Sequence, residues 1–115
     1  MAHSGRFDNK VVLVTGAGRG IGRAIALSFA LEGAQVILNY NRSGEKAQKI
    51  SESLLKSGLK CDMMRADVSK SDQVEKMMDQ IINKYSHIDI LVNNAGIRHD
   101  TFLAMMSEEE WDSVM

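Results

Sequence analysis

The sequence predicts an α/β protein with a parallel sheet. Short apolar runs rich in β-branched residues recur along the 115-residue chain, and segments with the apolar spacing of helices lie between them. Glycines stand at several junctions between the two kinds of segment, where the chain has to turn. Because strands that alternate with helices form right-handed βαβ crossovers, the strands are expected to lie parallel in one sheet.

Four segments have the composition of strands. Residues 11–15 (VVLVT) form an apolar, β-branched run of the kind found in strands that are buried on both faces. A second such run covers 35–40, and a third, weaker one covers about 60–65. Residues 88–92 (IDILV) are predicted to be the fourth strand.

Segments whose apolar residues have the spacing of a helix lie between these strands and after the last one. The methionine-rich stripe in the third of the helical segments is predicted to be core packing, because it lies on one face of the helix. The predicted helices are 21–31 with Gly33 as its C-terminal cap, a helix capped by Ser43 that runs to about Lys56, 71–85, and a helix that begins at Ser107.

Composition and charge exclude several classes of protein. With 44% hydrophobic and 25% charged residues, the chain is neither disordered nor collagen-like. Its longest uncharged apolar stretch, about 25–31, is far short of the ~20 residues that a membrane span needs. Residues 1–6 do not resemble a secretory signal, and the lone Cys61 has no internal disulfide partner, so we expect a cytoplasmic protein.

The basic residues are concentrated in the first half of the chain. Residues 1–60 carry nine Lys/Arg and four Asp/Glu, which would suit an anionic small molecule or form an ordinary solvated surface. The chain has no basic run interleaved with aromatic residues, so nucleic acid is not an expected partner. No metal site is predicted.

A glycine-rich segment, 15–22 (TGAGRGIG), joins the first strand to the first helix. Gly16 lets the chain turn off the strand, Gly20 lets the backbone approach a pyrophosphate, and Gly22 lets the helix pack against the strand. The free N–H groups and the dipole at the start of a helix favour an anion there. No Gly-Lys-Ser/Thr follows, which excludes a phosphate-loop NTPase. The segment predicts dinucleotide binding; the alternative is a tight turn without a ligand.

The end of the second strand predicts which dinucleotide binds. An NAD site typically has an acid about 20 residues after the glycine-rich turn, where it binds the ribose 2′-OH. This chain has Asn39-Tyr40-Asn41-Arg42 there, with no acid. Arg42, together with Arg19, could pair with a 2′-phosphate through charge-assisted hydrogen bonds, or each could be an ordinary surface cation. We therefore predict a preference for NADP(H).

Polar or small residues also follow the third and fourth strands. Asp67 could accept a bond from an adenine amino group while the N–H of Val68 serves a ring nitrogen, or Asp67 could cap a turn. In Asn93-Asn94-Ala95-Gly96, small residues would let a ribose approach the backbone, and the amides can tie neighbouring loops together. All these segments follow the carboxyl ends of predicted parallel strands, where open α/β sheets bind ligands. That common location makes them one predicted site.

Three of these motifs resemble the short-chain dehydrogenase/reductase family: Thr-Gly-x-x-x-Gly-x-Gly at 15–22, Asp67-Val68, and Asn-Asn-Ala-Gly at 93–96. Segments 89–97 and 107–115 further resemble its 3-oxoacyl-[acyl-carrier-protein] reductases. The resemblance implies a Rossmann-type doubly wound parallel sheet of strand order 3-2-1-4, incomplete at its C-terminal side. Residues 1–115 would then be the NADP-binding N-terminal part of a single domain.

The resemblance also implies where each part of the cofactor lies. The residues implied are Gly16, Arg19, Gly20, Ile21 and Gly22 at the diphosphate and adenosine ribose, Asn39, Tyr40, Asn41 and Arg42 around the adenosine 2′ position, Asp67 and Val68 at the adenine, and Asn94, Ala95 and Gly96 at the ribose near the nicotinamide.

The implied activity is hydride transfer between NADP(H) and a carbonyl substrate, either a small ketone or a 3-oxoacyl thioester on an acyl carrier protein, in a homo-oligomer that is commonly a tetramer. The family's Tyr-x-x-x-Lys has no match, because Gly44 follows Tyr40 and Asp89 follows Tyr85 at that spacing. We expect the catalytic groups to lie beyond Met115 in a longer reductase. We also expect the outer edge of the fourth strand to be open and prone to aggregate. The alternative is a non-catalytic module, or a truncated product, that binds NADP(H) without turnover.

Overall fold

Four parallel strands form one sheet in the order β3-β2-β1-β4. The computed structural model describes residues 5–16, 20–42 and 44–93 of the chain. The predicted α/β class, parallel sheet and strand order 3-2-1-4 are confirmed. The elements are β1 (Val11–Val14), α1 (Gly20–Leu31), β2 (Gln35–Tyr40), α2 (Gly44–Lys56), β3 (Cys61–Arg65), α3 (Ser71–Tyr85) and β4 (Ile90–Val92).

Strand β1 lies between two neighbours and is buried on both faces. Leu13 is opposite Ile37 of β2 on one side and Leu91 of β4 on the other, in parallel register. No residue of β1 is more than 4% exposed. A strand with this position has no solvated face, which explains why its sequence is a continuous apolar run without polar alternation.

Helices cover both faces of the sheet. Helices α1 and α2 pack on the face to which Val12 and Val14 point, whereas α3 packs on the opposite face with Val11 and Leu13. The methionine-rich stripe of α3 is buried, so its prediction as core packing is confirmed. No helix among the described residues is long and apolar enough to cross a bilayer. The buried apolar residues of the helices are Ala26, Ala30, Ala47, Ile50, Leu54, Val74, Met77, Met78 and Ile81.

The boundaries of several elements differ from the predicted ones, and β1 ends at Val14 instead of residue 15. Helix α1 begins at Gly20, one residue early, and β4 begins at Ile90 instead of residue 88. Asp89 is nevertheless tied to β1, because its N–H donates to the Val11 carbonyl at 2.9 Å and its carboxylate accepts from the Val11 N–H at 2.8 Å. The predicted cap Ser43 and the helix predicted at Ser107 lie outside the described residues.

Gly33 ends α1 as predicted. Its φ of 93° is in the left-handed region, which glycine adopts without the steric penalty of a side chain. Its N–H donates to the Ala30 carbonyl at 3.0 Å, and the Ala34 N–H reaches back to Phe29 at 3.2 Å. A Cβ at this position would collide with the carboxylate of Asp8. The N-terminal turn therefore packs directly on the C-terminal cap of α1.

The outer strand β3 directs a carboxylate, Asp62, toward the end of α3. Asp62 Oδ2 accepts from Tyr85 Oη at 2.7 Å and from Lys84 Nζ at 2.8 Å, and Oδ1 accepts from the Met63 N–H at 2.8 Å. Burial by itself raises the pKa of Asp62, but the bonds from Lys84, Tyr85 and Met63 together hold it below the ordinary value. The carboxylate thus fastens α3 to the edge of the sheet in its ionised form.

Shortening a buried side chain of β1 tests the central position of this strand. Leu13 is 0% exposed, so Leu13→Ala is expected to lower the free energy of unfolding by about 2–5 kcal/mol. Leu55 is 53% exposed, so Leu55→Ala makes the same chemical change and should cost less than about 1 kcal/mol. Urea unfolding followed by circular dichroism measures both losses. Equal losses in the two variants would contradict the central position of β1.

The Asp62 bonds predict a dependence of stability on pH. Asp62→Asn is expected to cost about 1–2 kcal/mol near neutral pH, because the amide loses charge-assisted bonds. Since folding lowers the pKa of Asp62, this stability is present above the ordinary value of 3.8 and is lost as the pH falls through the folded-state value.

Urea unfolding at a series of pH values measures the difference between wild type and Asp62→Asn. This difference should be constant near neutrality and shrink below about pH 4. Asp79→Asn, which alters an exposed carboxylate on α3, is the control. The prediction fails if the Asp62→Asn difference stays constant into acid.

Candidate functional site

The carboxyl ends of the parallel strands meet at one edge of the sheet. Val14 lies opposite both Leu38 and Val92, and Tyr40 lies opposite Arg65. The segments that follow the strands therefore leave the sheet on the same side, where open α/β sheets bind ligands. The structure brings three of the predicted segments to this edge: the one that begins at Gly16, residues 39–42, and residues 67–68.

Thr15 fastens the ends of β1 and β4 to each other. It is completely buried, and both its N–H and its Oγ1 donate to the Val92 carbonyl, at 3.0 and 3.2 Å. Gly16 follows with a φ of 63°, which turns the chain off the strand as predicted. Helix α1 begins at Gly20, and the N–H groups in the first turn of a helix have no partners within that helix. In the sequence, the start of α1 and its backbone donors thus follow the end of β1 by a few residues.

At the end of β2, the side chain of Asn39 is buried, whereas the residues that follow it are more exposed. The Asn39 side chain is 2% exposed, and Nδ2 donates to the carbonyls of Met64 and Ala66 at 3.3 and 3.2 Å. Its amide therefore lies inside the protein and not at the surface with the rest of the segment. Tyr40 is half-buried, whereas Asn41 and Arg42 are exposed. The exposed residues are the ones that a ligand can reach.

Asp67 lies in a turn with Ser69. Oδ1 of Asp67 accepts from Ser69 Oγ at 2.6 Å and from the Ser69 N–H at 3.0 Å. These two bonds, followed by the positive charges of Lys70 and Arg42, lower the pKa of Asp67 below its ordinary value. The turn-capping alternative is thus present in the structure. It leaves an ionised carboxylate that can only accept hydrogen bonds, and a guanidinium close enough to influence it.

Three residues at this edge were not predicted from the sequence. Thr15 has a β-branched side chain inside a strand-like run, so the sequence gives no sign of its polar contact. Arg65 is an exposed cation opposite Tyr40, and only the register of β2 and β3 reveals that position. Gln73 lies in α3, and its Oε1 accepts from the Asp67 N–H at 2.7 Å. That contact depends on the path of the connection between β3 and α3.

The described residues include part of the predicted site. Arg19, Asn94, Ala95 and Gly96 lie outside the described residues. For Gly20 and Ile21, only the backbone within α1 is described. In the part of the chain that the structure describes, no three His, Cys, Asp or Glu side chains are grouped so that they could hold a metal ion.

The sheet order and the glycine-rich turn after β1 define a Rossmann-type α/β fold. The family model described as short chain dehydrogenase matches residues 10–115. The chain belongs to this family.

Two curated reductases are among the proteins to which the chain is similar. The 3-oxoacyl-[acyl-carrier-protein] reductase FabG of Staphylococcus epidermidis is 45% identical over 107 residues, which cover 93% of this chain and 44% of that protein. Versicolorin reductase 1 of Dothistroma septosporum is 43% identical over 109 residues, which cover 95% of this chain and 41% of that protein. The chain therefore spans less than half the length of the curated relatives it matches.

A solved structure has the same fold. A short chain dehydrogenase from Burkholderia cenocepacia in complex with NADP is 34% identical and superposes with a TM-score of 0.73, covering 95% of this chain and 44% of that one. A citronellol catabolism dehydrogenase from Pseudomonas aeruginosa is 31% identical with a TM-score of 0.77, covering 99% of this chain and 46% of that one.

The turn at Asp67 can be tested by titration. Ser69→Ala removes the hydroxyl donor, so the pKa of Asp67 should move up toward its ordinary value, although the Ser69 N–H bond and the nearby cations remain. Titration of the carboxyl carbon of Asp67 by NMR measures this change. Ser53→Ala, at an exposed serine of α2, is the matched control and should leave the titration unchanged. An unchanged Asp67 titration in Ser69→Ala would show that the hydroxyl bond is not formed in solution.

Proposed function

We propose that the chain forms the NADP(H)-binding part of a carbonyl reductase that acts on a 3-oxoacyl thioester or a similar ketone. The observation that carries the proposal is the meeting of Gly16, Arg42 and Asp67 at one edge of the sheet, after three different strands. The 45% identity to a 3-oxoacyl-[acyl-carrier-protein] reductase supports the same reading and favours an enzyme over a non-catalytic module. We further propose that the intact protein is cytoplasmic and homo-oligomeric.

The residues present suit the phosphates of a dinucleotide. Gly16 turns the chain off β1, and the N–H groups in the first turn of α1, which begins at Gly20, suit a diphosphate. Arg19, Gly20, Ile21 and Gly22 complete this part of the proposed site. Arg42 is exposed at the end of β2, and residues 39–42 carry no acid that would repel a 2′-phosphate.

The adenine end of the proposed site depends on Asp67 and Val68. Because Asp67 is ionised, it accepts bonds from an amino group and repels a carbonyl oxygen. The backbone N–H of Val68 is the proposed donor to a ring nitrogen. Asn94, Ala95 and Gly96 are proposed to lie along the ribose next to the nicotinamide, as in the family that the chain resembles.

The bound NADPH would supply the hydride that reduces the carbonyl carbon. The residues of this chain bind and orient the nucleotide, and the family's proton-donating tyrosine has no match among them. We therefore expect the 115-residue chain to bind NADPH without oxidising it in the presence of a 3-oxoacyl thioester.

Replacement of Arg42 tests the proposed function. Calorimetric titration of the chain should give a lower Kd for NADPH than for NADH. Arg42→Gln should weaken NADPH binding by about tenfold or more, because it removes a charge-assisted bond to phosphate, and should leave NADH binding nearly unchanged. Arg6→Gln, at an exposed arginine near the opposite edge of the sheet, is the matched control.

Three results would contradict the proposal. If neither nucleotide binds the wild-type chain, dinucleotide binding is wrong. If NADPH and NADH bind equally, the predicted preference for NADP(H) is wrong, and if Arg42→Gln weakens both alike, Arg42 does not select the phosphorylated form.

A further inference from the structure

The peptide group between Ala66 and Asp67 is held from both sides by side-chain amides. Its carbonyl oxygen accepts from Asn39 Nδ2 at 3.2 Å, and its N–H donates to Gln73 Oε1 at 2.7 Å. Asn39 comes from β2 and Gln73 from α3, so two separate elements fix one peptide. We call this pair, Asn39 and Gln73, the amide clamp. It lies immediately before Asp67 and Val68, the two residues proposed to contact the adenine.

The side chain of Asn39 donates to the Ala66 carbonyl, at the point where the main-chain bonds between β2 and β3 end. At the start of the pairing, the Val36 N–H donates to the Lys60 carbonyl, and at its end the Ala66 N–H donates to the Tyr40 carbonyl. If the ladder continued at the same spacing, the N–H of residue 42 would donate to the Ala66 carbonyl. Residue 42 instead lies in the bend after β2. The Asn39 amide supplies the donor instead. Ala66 is 2% exposed, so without that donor its carbonyl would face an apolar interior.

Helix α3 supplies one residue of the amide clamp and contacts the other. Gln73 is half-buried in its first turn, and Met77, one turn later, places its sulfur 3.4 Å from Asn39 Nδ2. Met77 is itself 1% exposed within the core on that face of the sheet. The position of the Ala66–Asp67 peptide is therefore set by the packed core and not by the surface turn that follows.

We propose that Asn39 and Gln73 are positioning residues for adenine recognition, and that they determine the selectivity of the site for adenine over hypoxanthine. Rotation of the Ala66–Asp67 peptide would redirect both the Asp67 carboxylate and the Val68 N–H, since both follow within two residues. Hypoxanthine carries an oxygen in place of the amino group and a hydrogen on the ring nitrogen beside it, so it mismatches both groups. This inference rests on the proposed function, because it assumes that the adenosine of NADP(H) binds at this edge.

The test compares the affinities of the 115-residue chain for NADP⁺ and for nicotinamide hypoxanthine dinucleotide phosphate by calorimetry. The wild-type chain should prefer NADP⁺ by about tenfold or more, the amount expected from hydrogen bonds to an ionised group. Asn39→Leu and Gln73→Met remove the clamping atoms and keep similar volumes, so each should bring the ratio of the two affinities close to one. The ratio is insensitive to a general loss of stability, because both ligands bind the same folded fraction.

Two further variants serve as controls. Gln73→Glu keeps an oxygen acceptor for the Asp67 N–H and should keep a preference for NADP⁺ at least as large as that of the wild type, since its added negative charge also disfavours the hypoxanthine oxygen. Gln48→Met makes the same change as Gln73→Met at an exposed glutamine of α2, whose amide donates to Glu52 at 3.2 Å, and should retain the wild-type ratio.

The outcomes separate this inference from the proposed function. If the wild-type chain binds neither nucleotide, the proposed function fails and the inference fails with it. If the chain binds NADP⁺ but does not discriminate against the hypoxanthine form, or if Gln73→Met keeps the wild-type ratio, the inference alone is overturned. Should Asn39→Leu not fold, Gln73→Met decides the outcome, because Gln73 is partly exposed and outside the apolar core.

Discussion

The parallel pairing of β1 with both β2 and β4 is the interaction on which the rest of the structure depends. A strand buried on both faces has to satisfy its N–H and C=O groups within the sheet, because no water reaches them. Pairing on both sides does this, and it also places the carboxyl ends of neighbouring strands level with each other. The same interaction therefore builds the core and assembles the candidate site, whose residues come from segments far apart in the sequence.

Side chains complete the hydrogen bonding where the main-chain ladder stops. Asn39 does so just beyond β3, where it donates to the Ala66 carbonyl. Between β1 and β4, Thr15 Oγ1 adds a second bond to the Val92 carbonyl, which also accepts from the Thr15 N–H. Both side chains are buried. Because side chains alternate along a strand, Asn39 points into the protein while Tyr40, its neighbour, lies on the other face. Adjacent residues of one motif thus have different roles: one fixes the backbone and the other borders the surface that a ligand can reach.

The sequence was sufficient to predict the elements and the edge at which they meet, but not the contacts between elements. Helical spacing and apolar runs depend on local periodicity, so α3 and the strands could be predicted. The order of the strands came from the resemblance to a known family and not from periodicity. The exact ends of the strands also depend on bonds between distant residues. At β4, for example, Asp89 bonds to Val11 of β1 one residue before the strand begins. The inward direction of Asn39 had no signal, because a strand buried on both faces shows no polar alternation. The partnership of Gln73 with the Asp67 N–H required the path of a connection that no sequence pattern specifies.

The charges at the site are coupled, and this affects how a nucleotide would bind. In the free protein, Arg42 and Lys70 lie close enough to Asp67 to favour its ionised form. A 2′-phosphate on the same edge would compete with Asp67 for the positive potential of Arg42, while an adenine amino group would draw on the negative charge of Asp67. In the proposed complex, the adenine and the 2′-phosphate would thus act on two groups whose charges influence each other. We therefore expect their contributions to affinity to be coupled, because each ligand group would change the field in which the other binds.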